Sequence, residues 1–449
     1  MWLRRTGFGL LIILLVGGLS AVALSWHPAI SPIEVPAKSS FEGNLVRKGA
    51  QLALIGNCNS CHTKEDGVPY AGSRPMPTPF GTIYGTNITP DPETGIGRWS
   101  EEAFLRAMRE GIRRDGAHLY PAFPYDHFTK VSDDDARAIY AFLMTRDPVR
   151  AQTPANEITF PFNIRPLIAG WKLLFFQPGE FQPDTAQTDE FNRGDYLVSG
   201  LAHCGACHTP RNALGAEKGD QQFGGGEAEG WHAPALNEAS PAPTPWTAEQ
   251  LFTYLRQGFT PEHGVAAGPM QPVTDNLANV PEDDVKAIAA YVGTMLVPAT
   301  ADRRGKTVER PAIAQRQDDA ATSSRETSGR AGLVEAVEGA AIYAGACAFC
   351  HEPTGQRFSA KGIHLAISKV LTMPDPRNLI HVIREGIESP AGTPAAFMPG
   401  FANALTNQQI AALASYLRAT FTDQPAWSDL EEHVRKAARP RAAAGRPES

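Results

Sequence analysis

The sequence lacks the features that would mark a nucleic-acid-binding protein or an enzyme with its own catalytic centre. Its formal net charge is −7 over 449 residues and no basic stripe is present, so a nucleic-acid partner is not expected. No arrangement of a nucleophile with a general base stands out. The glycine run at Gly224 to Gly226 follows no strand and opens no helix, which excludes the dinucleotide-binding fingerprint.

Cysteine is scarce, and the six residues present form three pairs with none left over. Each pair has the spacing C-x-x-C and is followed directly by a histidine: Cys58, Cys61 and His62; Cys204, Cys207 and His208; Cys347, Cys350 and His351. C-x-x-C-H is the signature of c-type haem attachment. Cysteines one helical turn apart can form two thioether bonds, and the adjacent histidine then lies under the iron as its proximal ligand.

Other uses of these cysteines fit the pattern less well. Three disulfides would not need a histidine after every pair. A zinc site would normally need two such pairs to converge on one metal, and three pairs cannot be divided in this way. A thioredoxin-like redox pair would need a βαβ setting that is missing. The sequence therefore predicts three covalently bound haem c groups.

Each C-x-x-C-H site lies in a repeated unit, and the repeat suggests the distal iron ligands. A glycine precedes each site at a similar distance, at Gly49, Gly194 and Gly339, and a later helix ends in the tripeptide Arg-(Glu or Gln)-Gly. In the second and third repeats a methionine follows the tripeptide glycine after twelve residues, at Met270 and Met398. Both are predicted to be distal ligands.

The first repeat breaks this rule because Phe123 stands at the equivalent position, and phenylalanine cannot bind iron. The haem there either has an open site or takes another ligand from nearby. His127 is the tentative choice because it lies four residues on in the same loop, with His118 and Met76 as alternatives.

Capping patterns predict where several of the helices begin. Ser132 with Asp135, and Thr247 with Gln250, show the expected three-residue spacing. The caps of the closing helices in the second and third repeats are predicted at Asp283 and Asn407.

The N-terminus carries a compartment signal, because Arg4 and Arg5 precede an uncharged run from Thr6 to Trp26. This run approaches the ~20 residues that cross a bilayer as a helix, with the first residues on the cytoplasmic side. A cleaved signal peptide is the alternative, since Ala21 to Ala23 resemble a cleavage site. Both interpretations export the bulk of the chain.

The predicted fold class is all-α, with three tandem class I cytochrome c domains behind one N-terminal transmembrane helix. The predicted segments are an anchor or signal at 1–30, domains at 40–150, 186–298 and 331–425, a connector at 151–185, a flexible linker at 299–330 and a tail at 426–449. The linker is rich in Ala, Arg, Asp, Ser and Thr and cannot bury enough apolar surface to order itself. The connector holds an apolar stretch, Leu167–Phe176, which could dock on a membrane or partner or pack between domains.

From about Leu45 to Phe421 the chain resembles the triheme cytochrome c subunits of membrane-bound bacterial dehydrogenases. The resemblance rests on the three C-x-x-C-H sites, Thr86–Asp91, His118–Tyr125 and the segment that follows Cys207. Alcohol dehydrogenase members typically have methionine at the position of Phe123. The Pro-Ala-Phe-Pro-Tyr-Asp-His form resembles subunits partnered with molybdenum hydroxylases such as nicotinate or aldehyde dehydrogenase.

This resemblance implies an electron-transfer subunit with no catalytic site of its own. It would accept electrons from a catalytic dehydrogenase subunit, of molybdenum hydroxylase type rather than quinoprotein or flavoprotein, and pass them to ubiquinone or a terminal oxidase. Its implied location is the periplasmic side of the bacterial inner membrane. The competing hypothesis is a peroxidase-like haem enzyme that uses an open first haem.

Overall fold

The computed structural model describes residues 26–242, 244–296, 330–351, 365–388 and 398–438. The apolar run of the predicted N-terminal anchor, up to residue 25, and the predicted linker before residue 330 lie outside these ranges. Within the described ranges, no helix combines the length and the apolar character needed to cross a membrane.

The chain divides into two compact units, and the division falls inside the second C-x-x-C-H motif, between Ala206 and Cys207. The first unit also takes in Arg211–Ala216, and the second unit takes in Cys207–Pro210 and continues from Glu217. The all-α prediction is confirmed in that helices carry the core, although short antiparallel ribbons accompany them.

Helices of the first unit precede and follow the first motif. They are α1 (Gly43–Ile55), α2 (Cys58–His62), α3 (Glu101–Glu110), α4 (Tyr125–Phe128), α5 (Asp133–Met144), α6 (Leu167–Phe175) and α7 (Asp189–Asp195), the last continued by a π-helix at Tyr196–Leu201. Strands β1 (Pro75–Thr78), β2 (Gly81–Tyr84) and β3 (Glu157–Ile158) form an antiparallel sheet in that order. Helix α8 (Gly205–His208) then carries the second motif.

The second unit contains the rest of the second repeat and the whole described part of the third. Its helices are α9 (Ala248–Gln257), α10 (Met270–Leu277), α11 (Glu282–Met295), α12 (Arg330–Ile342), α13 (Ala348–His351), α14 (Lys369–Thr372), α15 (Arg377–Glu385), α16 (Asn407–Phe421) and α17 (Leu430–Ala438). Two ribbons pair β4 (Gly226–Ala228) with β5 (Trp231–Ala233), and β6 (Phe259–Thr260) with β7 (Gly264–Val265).

The helix starts follow local capping chemistry. Ser132 accepts a hydrogen bond from the N–H of Asp135, and Thr247 forms a full capping box with Gln250, as predicted.

The caps of the two later closing helices differ from the prediction. Pro281 precedes the first residue of α11, Glu282, so the predicted cap at Asp283 was wrong. Thr406 caps α16 in a box with Gln409, and Asn407 is already the first helical residue. The predicted cap at Asn407 was therefore wrong by one residue, because the threonine hydroxyl takes the capping role.

Residues 426–449, predicted as a tail, include a packed helix. Val434 of α17 is fully buried and joins the apolar cluster of the third repeat with Leu417 and Phe421 of α16. The segment from 439 onward lies outside the described residues.

Polar contacts connect the β4–β5 ribbon to helix α15 in the second unit. Asn378 accepts from the N–H of His232 (2.8 Å) and donates to its carbonyl (2.7 Å). Arg377 pairs with Glu227 at 2.6 Å, and the His381 ring stacks on Trp231 with centroids 4.9 Å apart. These contacts tie the second and third repeats together within one unit.

The repeated glycine before each motif has a packing reason in two repeats. A methyl group at Gly49 of α1 would overlap the backbone carbonyl of Ala138 on α5, and one at Gly339 of α12 would overlap that of Ala412 on α16. The helix before the motif and the closing helix therefore cross with their backbones in contact, which only a residue without Cβ allows.

We expect Gly49→Ala to lower the free energy of unfolding by about 2 kcal/mol or more, because the α1–α5 crossing must open to admit the methyl group. Gly170→Ala is the matched control, since nothing lies within 4 Å of a methyl group at that position of α6. It should leave stability unchanged or raise it by about 0.5–1 kcal/mol. Urea unfolding followed by circular dichroism measures both. Equal stabilities for the two variants would contradict the close crossing.

Candidate haem-binding sites

The first C-x-x-C-H motif forms its own short helix, α2, after a sharp break in the chain. Asn57 takes a left-handed conformation (φ 52°) between α1 and α2, which asparagine tolerates better than most residues. Cys58 and Cys61 then lie one turn apart on α2. All six cysteines of the chain are free thiols rather than disulfides, and burial raises the pKa of Cys58 to about 12.

The second motif repeats this local geometry. His203, directly before Cys204, is also left-handed (φ 41°), and Cys207 and His208 lie on α8. In the third repeat Cys347 ends a π-helix, Tyr343–Cys347, and His351 ends α13. The loop after His351, residues 352–364, lies outside the described residues.

The proximal histidines of the first two motifs are held by backbone carbonyls. His62 Nδ1 lies 2.6 Å from the carbonyl oxygen of Thr86, and His208 Nδ1 lies 2.7 Å from that of Pro234. Such a bond fixes the tautomer of a metal-binding histidine and leaves Nε2 as the ligand atom. Desolvation lowers the pKa of both rings, that of His208 to about 4, so both imidazoles are neutral near pH 7 and can bind iron.

A glycine packs directly against the backbone of each of these two motifs. A methyl group at Gly85 would overlap the carbonyl oxygen of Cys61, and one at Gly226 would overlap that of Cys207. Gly85 follows β2 and directly precedes Thr86, whereas Gly226 opens β4 and pairs with Ala233, the residue before Pro234. Close backbone packing therefore sets the orientation of both motif helices.

Among the buried side-chain atoms that have no hydrogen-bonding partner within the described part of the chain are two donors, the hydroxyl of Tyr125, which is fully buried, and the indole Nε1 of Trp231. Both rings lie directly against a glycine. A methyl group at Gly111 would overlap the Tyr125 ring, and one at Gly268 would overlap the Trp231 ring. A buried donor without an acceptor costs about 1–3 kcal/mol, so both donors suit a group that carries its own acceptors.

A haem fits these residues. At each of the first two sites the paired thiols would form the thioethers, and Nε2 of the proximal histidine, His62 or His208, would bind the iron. The Tyr125 hydroxyl and the Trp231 indole would offer hydrogen-bond donors to acceptors such as propionates. Burial raises the pKa of the Tyr125 hydroxyl, so the hydroxyl keeps its proton as a donor.

The segment after each tripeptide folds back as a hairpin that positions the candidate distal residues. In the first two repeats the carbonyl of the tripeptide glycine accepts a 2.8 Å hydrogen bond from a residue eight positions on, Leu119 and Ala266. Phe123 and Met270 each lie four residues beyond that donor. Phe123 and Met270 therefore share one hairpin register.

The third repeat has a longer hairpin, and its methionine holds a different register. Ile387 pairs with Met398 through both backbone hydrogen bonds, whereas in the first repeat Ile112 pairs with His118. Met398 thus takes the hairpin position of His118, not that of Phe123. Met270 and Met398 therefore share the twelve-residue offset in sequence but do not share a position in the hairpin.

The candidates for the first distal site lie in three different settings. His127 is buried on α4, with Nδ1 2.9 Å from the carbonyl oxygen of Ser199. His118 is buried, with its ring edge against His27 at 5.1 Å between centroids. Met76 is half-buried on β1, paired with Ile83. The ring of Phe123 packs edge-on against Phe128 at 5.2 Å.

Trp231 and Lys172 belong to this region although no sequence pattern marked them, and Tyr125 ends the segment His118–Tyr125, which carried the family resemblance but gave Tyr125 no role of its own. Lys172 on α6 points inward and its Nζ donates to the carbonyls of Glu110 (2.5 Å) and Gly111 (2.9 Å), over the face of the Tyr125 ring at 4.5 Å. Desolvation lowers the pKa of Lys172 to about 7. The tertiary contacts, rather than a repeated motif, show what these three side chains do.

Comparison with known families agrees with this geometry. Residues 46–147 and 193–296 match the cytochrome c family, and residues 334–417 match cytochrome c oxidase, cbb3-type, subunit III. A nicotinate dehydrogenase subunit from Pseudomonas putida is 46% identical over 95% of this chain, which spans only 34% of that longer protein.

Two further relatives are matched over most of their own length. The fructose dehydrogenase cytochrome subunit of Gluconobacter japonicus is 36% identical over 86% of this chain and 81% of its own. The cytochrome c subunit of the quinone alcohol dehydrogenase of Gluconobacter oxydans is 36% identical, over 83% and 78%. The chain belongs to the cytochrome c subunits of dehydrogenases.

Membership of this family accounts for the free cysteine pairs, because cytochrome c domains bind haem c covalently through them. It confirms the family resemblance predicted from the C-x-x-C-H sites. The fructose dehydrogenase and alcohol dehydrogenase relatives are cytochrome subunits, which favours electron transfer over the peroxidase-like alternative.

We expect Tyr125→Phe and Trp231→Phe each to lower the midpoint potential of one haem and leave the others unchanged. A donor to a propionate disperses its negative charge, so loss of the donor favours the oxidised, more positive iron. Optical redox titration of the haem-loaded chain measures this. Unchanged potentials in both variants would exclude the two side chains as propionate donors.

Lys172 should make stability depend on pH. Its pKa is about 7 in the folded chain and about 10.4 when unfolded. Burying the Lys172 amine therefore costs the least free energy when the amine is neutral. The free energy of unfolding should therefore fall as pH decreases from about 10.4 to about 7, by about 1.4 kcal/mol for each pH unit in that window, and stay level below. Lys172→Met should remove this slope, while Lys64→Met, at an exposed position, should keep it. Urea unfolding at several pH values measures both.

Proposed function

We propose that this chain is the electron-transfer subunit of a dehydrogenase complex and carries three covalently bound haem c groups. The observation that carries the proposal is the set of three C-x-x-C-H motifs, each with its histidine at the end of a short helix and with free thiols. Haem iron supplies reversible one-electron chemistry. The chain's own residues would hold the groups and set the ligand atom of the proximal histidines His62 and His208.

The proposed distal ligands are Met270, Met398 and, for the first haem, His127. Support for His127 comes from its ring geometry, because its Nδ1 faces a backbone carbonyl as in His62 and His208. With Nδ1 bonded, the ring can bind a metal only through Nε2, which is the usual arrangement for a histidine ligand. A histidine–histidine centre has a lower potential than a histidine–methionine centre, since methionine raises it.

The proposed electron donor is a catalytic dehydrogenase subunit of molybdenum hydroxylase type. The similarity to the nicotinate dehydrogenase subunit over 95% of the chain supports this choice over a quinoprotein or flavoprotein partner. The proposed acceptor is ubiquinone or a terminal oxidase.

The proposed location is the periplasmic face of the bacterial inner membrane, and helix α6 supports contact with a bilayer. Its charged side chain points inward, since Lys172 is 9% exposed, while the neighbouring Leu173 and Leu174 are 72% and 69% exposed. Phe160, shortly before α6, is 78% exposed. A helix that buries its lysine and presents its leucines suits an apolar environment.

The haem count can be tested one motif at a time. Replacing both cysteines of one motif by serine should lower the haem content from three groups per chain to two, as measured by the pyridine haemochromogen spectrum and by intact mass. Double variants at 58/61, 204/207 and 347/350 should each lose one group. A wild-type content of two, with one double variant unchanged, would contradict the proposal.

The first distal ligand can be tested with two histidine variants. His127→Ala should convert one of the three haems to a high-spin form that binds cyanide rapidly, because its iron loses its sixth ligand. His118→Ala is the matched control and should leave all three haems low-spin. The reverse result would move the ligand to His118, and a high-spin haem in the wild type would mean an open site.

A further inference from the structure

The residue before the second motif contacts the segment before the first motif. His203 directly precedes Cys204, and its Nε2 lies 3.3 Å from the carbonyl oxygen of Gly56, two residues before Cys58. All of these residues belong to the first compact unit. The ring N–H can therefore donate to that carbonyl and link the two attachment segments.

The His203 ring is fixed from several sides. The backbone of His203 is left-handed (φ 41°), and its main-chain N–H donates to the carbonyl of Gly200 (3.1 Å). The ring of Phe128 meets it edge-on, with centroids 5.5 Å apart. A methyl group at Gly56 would come within 3.1 Å of a Leu201 methyl, so the two backbones are close at this point.

A buried polar network anchors the same stretch of chain to the first cytochrome domain. The Tyr196 hydroxyl donates to Asp135 (2.8 Å) and accepts from the N–H of Ser132 (3.2 Å). Asp135 also pairs with Lys48 of α1 at 2.6 Å. Buried polar groups satisfied on all sides specify one arrangement, so the segment leading into Cys204 has a fixed position on the first domain.

We propose that His203 is a positioning residue that carries a bonded route for electrons between the first and second haems. The route runs from Cys58 through two peptide units to the Gly56 carbonyl, across one hydrogen bond to the imidazole, and on to Cys204. This inference rests on the proposed electron-transfer function. Electronic coupling through covalent and hydrogen bonds falls off more slowly than through a gap, so the bridge raises the transfer rate.

The transfer along this route is one electron with no bond made or broken. The reduced haem is oxidised by one electron and its oxidised neighbour is reduced by one. No proton moves, because the imidazole N–H remains the donor to Gly56 throughout.

Two substitutions separate the hydrogen bond from the packing of the ring. His203→Phe keeps an aromatic ring against Phe128 and loses the donor, whereas His203→Gln places an amide donor at similar reach. His433→Phe, in the second unit, controls for loss of an imidazole elsewhere. Haem content and midpoint potentials are recorded for every variant, so that altered loading is distinguished from altered coupling.

The measurement is the rate of electron redistribution between haems after flash photoreduction of the partly oxidised, full-length chain by a ruthenium complex. We expect His203→Phe to slow exchange between the first and second haems several-fold, with potentials unchanged, and His203→Gln to restore it. His433→Phe should match the wild type. Should His203→Phe fail to load haem, His203→Leu replaces it with the same expectation.

An unchanged exchange rate in a fully loaded variant without the donor would overturn the inference, and so would a rate that His203→Gln fails to restore. Neither result touches the proposed function, which would instead fail if the wild-type haems could not be reduced and reoxidised at all.

Discussion

A hydrogen bond from the proximal imidazole to a backbone carbonyl is the constraint around which the first two haem sites are built. It holds Nδ1 of His62 on Thr86 and Nδ1 of His208 on Pro234, so only Nε2 can face a metal. The carbonyls themselves come from loops placed by glycines that pack on the motif backbone, Gly85 in the first site. Ligand direction thus depends on tertiary packing, although the ligands are neighbours in sequence.

The same packing principle operates at larger scale. Close crossings at Gly49 and Gly339 bring the helix before a motif against the closing helix. The three sequence repeats nevertheless do not become three equal bodies, since the unit boundary falls inside the second motif, before Cys207. The segment that leads into this motif belongs with the first domain, because the Tyr196 hydroxyl is bonded to Asp135 there.

The distal side shows how far sequence reasoning extends. Spacing alone identified Phe123 as the odd member, and the hairpin places it in register with Met270. Spacing also equated Met270 with Met398, but the third hairpin pairs Met398 directly with Ile387. An offset counted along the chain does not show which residues pair across a hairpin, because that pairing is made by backbone hydrogen bonds between its two strands.

The sequence by itself determined the covalent chemistry, the repeats, several helix caps and the family, because these depend on residues that are near one another along the chain. Only the tertiary structure decided which nitrogen of His62 and of His208 can meet iron, that Tyr125 and Trp231 are buried donors, and that Lys172 points inward while its neighbours face out. These features arise between segments distant in sequence, as does the contact of His203 with Gly56. Burial and hydrogen bonding between such distant segments produce no repeat or spacing pattern in the sequence from which they could be predicted.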